Sequence, residues 1–292
     1  MNEKLNFEGG VYESEMRDIK SQLRDIAVKV VERNCPYEEV GVSFSGGVDS
    51  SVLALICRKL NKKTTLLTIG FPNSHDVRRA LGTGLKMGFQ PLVWRIGLQD
   101  LEEAVKYVST LTSFSNPIEL ELAAAFYLIC RFAKNREIEV VLSAQGTDEL
   151  FCGYDKYRLA MEEGGEIKVL ELIDECLKQA FSDKERANLI ADSLRVKLIH
   201  PFLDREFVEF CLKIPVKLKV RGVEDSLRKY VWRELAVELG VPTEVAFKPK
   251  KALQYGSGIH KNMVKIARKH GFTGKGCLSR YVDYLRRLPS KP

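Results

Sequence analysis

The sequence lacks several features that would point to a particular class of protein. None of its seven cysteines forms a Cys-x-x-Cys pair, which argues against a zinc ribbon or an iron–sulfur site and favours reduced, buried thiols. Its four histidines show no metal-ligand spacing, so we expect structural or surface roles for them. No apolar run approaches membrane-spanning length, the N-terminus MNEKLNFEGG has no signal core, and no repeat or long polar tract is present. These absences predict a soluble, cytoplasmic, ordered protein.

The bulk composition leaves two explanations for the charge. With 292 residues, 45% of them hydrophobic, the chain can build one large domain or two small ones around a real core. The formal net charge is +7. The excess of Lys and Arg could form an ordinary solvated surface, or it could attract polyanions such as ATP or RNA.

Apolar stretches alternate with helical periodicity over the first half of the chain. Strands are predicted at 39–44, 64–71, 91–96 and 139–144, and helices at 13–34, 50–60, 76–88, 99–111 and 117–134. This alternation predicts an α/β fold with a parallel sheet and helices on both faces. After about residue 150, helical periodicity dominates. We therefore predict a helical segment at 1–38, an α/β core at 39–150, and a mainly helical region with a basic tail at 151–292.

The stretch SGGVDSS, residues 45–51, joins the first predicted strand to the next helix. In an open parallel sheet, ligands bind beyond the carboxyl ends of the strands, and a helix N-terminus favours an anion. Gly46 and Gly47 can take positive φ and bring the backbone close to a ligand, while Ser45, Ser50 and Ser51 add hydroxyl donors. The stretch predicts a cradle for phosphate or pyrophosphate, although it is neither a Walker A loop nor a GxGxxG fingerprint.

Asp49, inside the same loop, would repel a bare phosphate. It fits a phosphate cradle if a Mg²⁺ lies between the carboxylate and the ligand. The alternative is structural, with SGG as a tight turn and Asp49 as a helix cap. The length of the motif and its place between a strand and a helix favour the cradle.

Four stretches resemble a known family. SGGVDSS resembles the pyrophosphate loop of the N-type ATP pyrophosphatases, which cleave ATP between its α and β phosphates. In family order, VVLSAQGTDELFCGYDKY (140–157), HPFLDREFVEF (200–210) and AFKPKKALQYGSG (246–258) resemble segments of the asparagine synthetases. The resemblance covers most of the chain and implies the synthetase domain of that family, with an adenine nucleotide alpha hydrolase-like fold.

The resemblance implies roles for individual residues. Asp49 and Asp148 would share a Mg²⁺ on the phosphates of ATP, and Lys250 would offset the charge that builds on the α-phosphate and the leaving pyrophosphate. Glu149 would orient Lys250 or cap a helix. The other residues implied to bind ATP are Phe44, Ile69 and Gly70 around the adenine, Ser143 and Ala144 along the ribose and α-phosphate, and Lys248 beside Lys250. The alternatives are a helix cap for Asp148, core packing for Phe44 and Ile69, and a solvated charge run for the lysines; the role of Asp76 is open.

Two positions depart from the family. Asn2 stands where glutamine-dependent asparagine synthetases have a cysteine nucleophile, so we expect free ammonia, a separate glutaminase subunit or another nucleophile to supply the nitrogen. Gln145 stands where the family has a glutamate suited to take a proton from ammonia, and an amide cannot act as a general base. Either the amine arrives neutral, or another residue is the base, or the acceptor differs.

The sequence therefore predicts a carbon–nitrogen ligase that depends on ATP and Mg²⁺. It would adenylate a small carboxylate such as aspartate, release pyrophosphate and transfer the acyl group to ammonia or an amine. One alternative is a tRNA- or RNA-modifying enzyme with the same adenylation chemistry, consistent with the net charge and the basic tail, although no aromatic-interleaved basic motif is present. Another is a nucleotide-binding regulator, or a synthetase subunit partnered with a separate glutaminase.

Overall fold

The structure, a computed structural model, describes the backbone of residues 2–248 and 253–287 and the side chains of residues 16–248 and 255–287. Its strands are β1 (Glu39–Ser43), β2 (Lys63–Gly70), β3 (Leu92–Arg95), β4 (Val140–Leu142) and β5 (Lys197–Ile199). They form one parallel sheet in the order β3-β2-β1-β4-β5. The first four strands were predicted from the sequence pattern. β5 was not, because its three residues lie in the half of the chain where helical periodicity dominates.

Helices surround the sheet. In chain order they are α1 (Asn2–Asn34), α2 (Val48–Lys59), α3 (His75–Lys86), α4 (Leu98–Leu111), α5 (Pro117–Lys134), α6 (Thr147–Leu150), α7 (Lys156–Ser193), α8 (Arg205–Lys213), α9 (Tyr230–Glu238), α10 (Thr243–Ala246), α11 (Leu253–Gly256), α12 (Ile259–Lys269) and α13 (Cys277–Arg287). The long α7 bends at Gly164 and Gly165, whose backbone angles leave the helical region. The five helices predicted before residue 135 are all present, and α1 begins earlier than its pattern indicates.

The chain changes direction across the sheet between β1 and β4. From β1 it moves outward to β2 and β3, then crosses back to place β4 on the other side of β1, with Val42 paired to Leu66 and to Leu142. The loops that follow β1 and β4 therefore leave the sheet in different directions. Such a switch point opens a crevice at the carboxyl ends of the strands, where ligands of open α/β sheets bind.

Apolar side chains cover both faces of the sheet, which confirms the predicted fold class. Val42 and Leu142 belong to a core cluster shared with α1, α2, α8 and α9. Leu67 and Val141 belong to a second cluster shared with α4, α5, α12 and α13. Successive residues of a strand point to opposite faces, so one short strand can supply both clusters. Because β5 comes from the helical half and joins this sheet, the two halves share one core; the boundary near residue 150 stays a prediction.

Two further features follow from the composition. All seven cysteines are free thiols and buried, as predicted for small apolar side chains. Within the described ranges, no helix has both the length and the hydropathy needed to cross a membrane. Part of the basic tail is core, since Tyr281 and Val282 of α13 are buried in the second cluster.

Candidate active site

The loop after β1 turns at a glycine with a left-handed backbone. Gly46 has a φ of +70°, and a Cβ at this position would lie 2.7 Å from the Ala80 nitrogen and the Arg79 carbonyl oxygen. Both the conformation and the approach of α3 therefore require glycine here. Gly47 has a φ of −82° and is the N-cap of α2, so only the first glycine has the positive φ that we predicted for both.

The three serines of the loop lie in different environments. The hydroxyls of Ser45 and Ser50 lie 3.5 Å apart, and the Gly47 amide donates to Ser45 Oγ at 3.4 Å. Ser51 is fully buried, and its amide donates to the Gly47 carbonyl at 3.0 Å as the first helical bond of α2. Its amide is therefore not a free donor at the N-terminus of α2. The amides of Val48, Asp49 and Ser50 remain, since the first turn of a helix has no intrahelical acceptors for them.

The loop after β4 turns at a second left-handed glycine. Gly146 has a φ of +100°, and a Cβ there would lie 2.7 Å from the Leu203 side chain and 2.9 Å from the Phe202 carbonyl oxygen. The loop thus rests on the PFLD segment. Asp204, the last residue of that segment, caps α8 by accepting from the Glu206 amide at 3.0 Å. The role of PFLD in this structure is to support the loop that carries Asp148.

The residues before that glycine form a tight polar turn. The Ser143 hydroxyl accepts from the Gln145 amide at 3.3 Å, and the Ala144 carbonyl accepts from the Thr147 hydroxyl at 3.0 Å. Ser143 itself is buried, whereas Ala144 is partly exposed. The side-chain oxygen of Gln145 is buried and has no hydrogen-bond partner among the described residues. An amide in this setting can donate or accept, but it cannot take a proton.

Asp49 and Asp148 meet at a buried lysine. The Nζ of Lys229 lies 2.7 Å from Asp49 Oδ1 and 2.8 Å from Asp148 Oδ1. The lysine side chain is 1% exposed and each carboxylate is 15% exposed. Burial lowers the pKa of Lys229, and the negative charge of Asp49 opposes that shift. The two carboxylates that we predicted to share one ion thus converge on a single cation.

The helix-cap alternatives for these two acids do not hold. The N-cap of α2 is Gly47 and the N-cap of α6 is Gly146, and neither Asp49 nor Asp148 occupies a capping position. Both carboxylates contact the ammonium of Lys229 instead. Their oxygens are the kind of ligand that Mg²⁺ prefers.

Tight packing holds this cluster. The Nε1 of Trp232 donates to Asp49 Oδ1 at 3.0 Å, and the indole stacks on Phe151 with ring centroids 4.8 Å apart. Gly153 leaves no room for a side chain, because a Cβ there would collide with Asp148 Oδ1 and Lys229 Cε. The glycine in the FCGY stretch is therefore needed for the ion pair to form.

A left-handed turn directs Lys229 inward. Arg228 and Lys229 have φ values of +54° and +57°, so the helix indicated by the VEDSLRKYVWRELAVELG pattern begins only at Tyr230. Asp225 accepts hydrogen bonds from the Leu227 and Arg228 amides at 3.0 and 2.8 Å, which satisfies donors that a helix would otherwise use. Left-handed backbone at ordinary residues is costly, and such strain persists where surrounding contacts enforce it.

Glu149 is a buried carboxyl that pairs with a tyrosine of the same loop. The Tyr154 hydroxyl donates to Glu149 Oε1 at 2.6 Å, and Glu149 is 7% exposed. Burial raises the pKa of Glu149, and the hydrogen bond from Tyr154 partly opposes this. It does not cap α6, whose N-cap is Gly146. Lys250 lies outside the described residues, so the orientation of Lys250 by Glu149 stays a prediction.

The residues predicted around the adenine lie at the strand ends, but their side chains face apart. Phe44 and Ile69 are both 2% exposed, and they belong to the core clusters on opposite faces of the sheet. Gly70 ends β2, and a Cβ there would lie 2.6 Å from Ser74 Oγ and 2.9 Å from Val77. Only the backbone of these three residues is thus available at the edge of the sheet.

The segment before Lys250 is held by a buried arginine. Arg233 is 1% exposed, and its guanidinium donates to the carbonyls of Leu227 at 2.7 Å and Lys248 at 3.1 Å, and also to that of Ala246. The side chain of Lys248 itself is exposed. Arg233 therefore ties the turn that carries Lys229 to the segment that leads to Lys250.

The glycines that follow the lysine-bearing segment return to the end of β2. The Phe71 amide donates to the Ser257 carbonyl at 2.9 Å, and a Cβ on Gly256 would collide with the carboxylate of Asp76. Asp76 is 2% exposed, and its Oδ1 lies 3.3 Å from His75 Nδ1. Asp76, whose role was open, thus packs where α3 and the late segment meet.

Sequence reasoning missed the basic residues that complete the site. Lys229 and Arg233 lie in a stretch with ordinary helical periodicity, and Arg79 lies in α3 next to another arginine. Nothing in these patterns separates the three from the rest of the 46 Lys and Arg of the chain. Trp232 carried no signal either, because its contact with Asp49 joins distant parts of the chain.

The sequence matches the asparagine synthase family over residues 23–196 and 182–272. The match includes both loops of the crevice, the PFLD segment and the segment around Lys250. The chain belongs to the asparagine synthase family.

Several individual proteins are similar to this chain. The putative asparagine synthetase (glutamine-hydrolyzing) 1 of Methanocaldococcus jannaschii is 30% identical over 299 residues, which cover 90% of this chain and 54% of that protein. Asparagine synthetase B (glutamine-hydrolyzing) of Escherichia coli is 25% identical over 261 residues, which cover 84% of this chain and 46% of that protein. The chain thus spans about half the length of these relatives.

Two solved structures are more distant in sequence. The NMN synthetase of Francisella tularensis aligns with a TM-score of 0.42 and 14% identity, and covers 95% of this chain and 98% of its own. The NH3-dependent NAD synthetase of Campylobacter jejuni aligns with a TM-score of 0.38 and 13% identity. The alignment covers 94% of this chain and 97% of that structure.

Proposed function

We propose that this chain is an ATP-dependent carbon–nitrogen ligase that activates a carboxylate as its adenylate and transfers the acyl group to ammonia or an amine. The observation that carries the proposal is the convergence of Asp49 and Asp148 on one buried cation, beside the loop at the N-terminus of α2. Two carboxylates at neighbouring strand ends and an anion-binding helix end suit a nucleoside triphosphate with its divalent ion. Membership of the asparagine synthase family supports the same activity.

Mg²⁺·ATP is the substrate in this proposal, and the residues fit it. The Oδ1 atoms of Asp49 and Asp148 lie close enough to contact one cation, and they would hold the Mg²⁺. The first amides of α2 and the hydroxyls of Ser45 and Ser50 would donate to phosphate oxygens. Lys229 would offset the negative charge that gathers between the two loops.

The adenosine would lie across the ends of β1, β2 and β4. Phe44, Ile69 and Gly70 would contact the adenine through their backbone, because the two large side chains are buried in different core clusters. Ser143 and Ala144, at the end of β4, would lie along the ribose and α-phosphate. This arrangement keeps the triphosphate over the switch point of the sheet.

In the proposed reaction, a carboxylate oxygen attacks the α-phosphorus. The bond from that phosphorus to the bridging oxygen breaks, and pyrophosphate leaves with the negative charge. Lys250, assisted by Lys248, would offset this charge. The support for Lys250 is its family position and its sequence proximity to Lys248, whose carbonyl Arg233 holds at 3.1 Å.

The amine nitrogen then attacks the acyl carbon, loses a proton, and AMP leaves. Gln145 cannot take that proton, so we propose that the amine attacks as the free base and that the proton it then loses passes to the phosphate of the departing AMP or to water. The names of the two relatives describe those proteins as glutamine-hydrolysing. For this chain we propose aspartate or a similar small carboxylate as acyl donor, and free ammonia or a separate glutaminase subunit as nitrogen source.

The test is an assay of products. The purified chain is incubated with Mg²⁺·ATP, ammonium and a panel of small carboxylates that includes aspartate, and pyrophosphate and AMP are measured. We expect both products, with a dependence on the carboxylate. Asp49→Asn should reduce pyrophosphate formation by about 100-fold or more, by analogy with the loss of a charge-stabilising group. Asp25→Asn, at a side chain 69% exposed, is the matched control and should leave the rate unchanged.

Other outcomes would overturn parts of the proposal. ADP as the product, or an Asp49→Asn variant as active as Asp25→Asn, would contradict the adenylation site. Pyrophosphate that forms only when RNA is added would favour the RNA-modifying alternative. Activity with glutamine only after addition of a glutaminase would assign the nitrogen source to a partner.

A further inference from the structure

Arg79 places its guanidinium against the loop after β1. A Cβ on Gly47 would lie 3.7 Å from Arg79 Nη2 and 3.8 Å from its Cζ. The arginine therefore faces the N-cap of α2, next to the amides that point out of that helix. It comes from α3, whereas the other basic residues of the site come from the start of α9, Lys229 as its N-cap and Arg233 within it.

The loop and α3 are fixed to each other, so this position of Arg79 is built into the fold. The Thr83 hydroxyl donates to the Gly46 carbonyl at 3.1 Å, and the backbone of Gly46 packs against the Arg79 carbonyl and the Ala80 nitrogen. These contacts join the loop to the helix that carries Arg79.

Among the described residues, Arg79 differs from its basic neighbours in having no carboxylate or carbonyl hydrogen-bond partner. Lys229 is shared by two carboxylates, and Arg233 donates to backbone carbonyls. The Nε of Arg79, in contrast, is buried without a hydrogen-bond partner among the described residues. Burial lowers the pKa of Arg79, while the charges of Asp76 and Asp49 oppose this. An arginine stays protonated under such shifts, so a charged donor fork faces the loop.

We infer that Arg79 is a phosphate-binding residue that clamps the β- and γ-phosphates of ATP, and then the released pyrophosphate, on the Gly47 side of the loop. The inference rests on the proposed function and assigns a specific residue to it. A guanidinium fork binds two phosphate oxygens at once, and the terminal phosphates carry most of the negative charge. Arg79 from α3 and Lys229 from the start of α9 would then both contact the pyrophosphate.

The chain offers a matched control in the neighbouring residue. Arg78 lies on the same helix with the same charge, but its side chain is exposed. We would measure binding of Mg²⁺·pyrophosphate and Mg²⁺·ATP by calorimetry to the wild type, Arg79→Gln, Arg79→Lys and Arg78→Gln. Circular dichroism and thermal melting would establish that each variant is folded.

We expect Arg79→Gln to weaken pyrophosphate binding by about 10- to 100-fold, the usual loss when a charge-assisted hydrogen bond is removed. Arg79→Lys should recover part of the affinity, since a lysine restores the charge but not the fork. Arg78→Gln should bind as the wild type does. If Arg79→Gln and Arg78→Gln bind pyrophosphate equally well, the inference is wrong while the proposed function stands. If the wild type binds neither ATP nor pyrophosphate, both are wrong.

Discussion

The ammonium of Lys229 lies 2.8 Å from Asp148 Oδ1, and this contact joins the loop after β4 to the turn before α9. The same ammonium contacts Asp49 from the loop after β1. One buried cation thus fixes the distance between two carboxylates that come from opposite sides of the switch point. The left-handed backbone at Lys229 and the missing side chain at Gly153 make this geometry possible.

Replacing Lys229 by Met should destabilise the protein strongly. Removing one partner of a buried ion pair leaves uncompensated charge, at a cost of about 3–5 kcal/mol. The two carboxylates should then repel each other and bind Mg²⁺ more readily, so added Mg²⁺ should restore stability more in Lys229→Met than in the wild type. Urea unfolding with and without Mg²⁺ measures both effects. Lys213→Met, at an exposed position on α8, is the control, and equal stability of the two variants would contradict the prediction.

Gly153→Ala should also destabilise the protein, by about 1–3 kcal/mol, because the added methyl collides with Asp148 and Lys229. Gly82→Ala is its control. Gly82 lies inside α3 with no atom within 4 Å of the added Cβ, so alanine there should stabilise the helix by up to about 1 kcal/mol. In urea unfolding, we expect the free energy of unfolding to fall for Gly153→Ala and to rise for Gly82→Ala. Changes of the same sign and size would show that the protein relieves the crowding at Gly153.

Arg233→Lys should loosen the segment that precedes Lys250. Lysine keeps the charge but cannot reach the carbonyls of Leu227 and Lys248 together, because it lacks the planar fork. Hydrogen exchange measured by mass spectrometry should show faster exchange in a peptide that covers residues 243–248. Arg205→Lys, at a side chain 92% exposed, should exchange as the wild type does. Unchanged protection in Arg233→Lys would mean that other contacts hold the segment.

His200 should make the protein less stable as the pH falls below neutrality. Burial lowers the pKa of His200 from 6.5 to about 3. Between these values the unfolded state binds more protons than the folded state, so the free energy of unfolding decreases with falling pH, by at most about 1.4 kcal/mol per pH unit from this group. Urea unfolding between pH 4.5 and 7.5 should show a shallower dependence for His200→Gln than for the wild type. An equal dependence in the wild type and in His200→Gln would contradict the prediction.

The local pattern of apolar and polar residues predicted those strands and helices that a short stretch of sequence specifies by itself. The alternation of strands and helices predicted the parallel sheet, because side chains buried on both faces give apolar runs. The pattern was less useful where a local interaction competed with it. Arg228 and Lys229 lie in a helical pattern, yet Asp225 binds the nearby amides and the helix starts at Tyr230.

By itself, the sequence determined the loop after β1, the acidic residue within it and the resemblance to asparagine synthetases, since each depends on neighbours along the chain. Only the tertiary structure decided that Lys229 joins Asp49 to Asp148, that Arg79 faces the N-terminus of α2, and that Phe44 and Ile69 point to opposite faces. The contacts of Lys229 and Arg79 depend on which distant segments pack together. The directions of Phe44 and Ile69 depend on which face of the sheet each position points to. The residue spacing within a single stretch does not encode either.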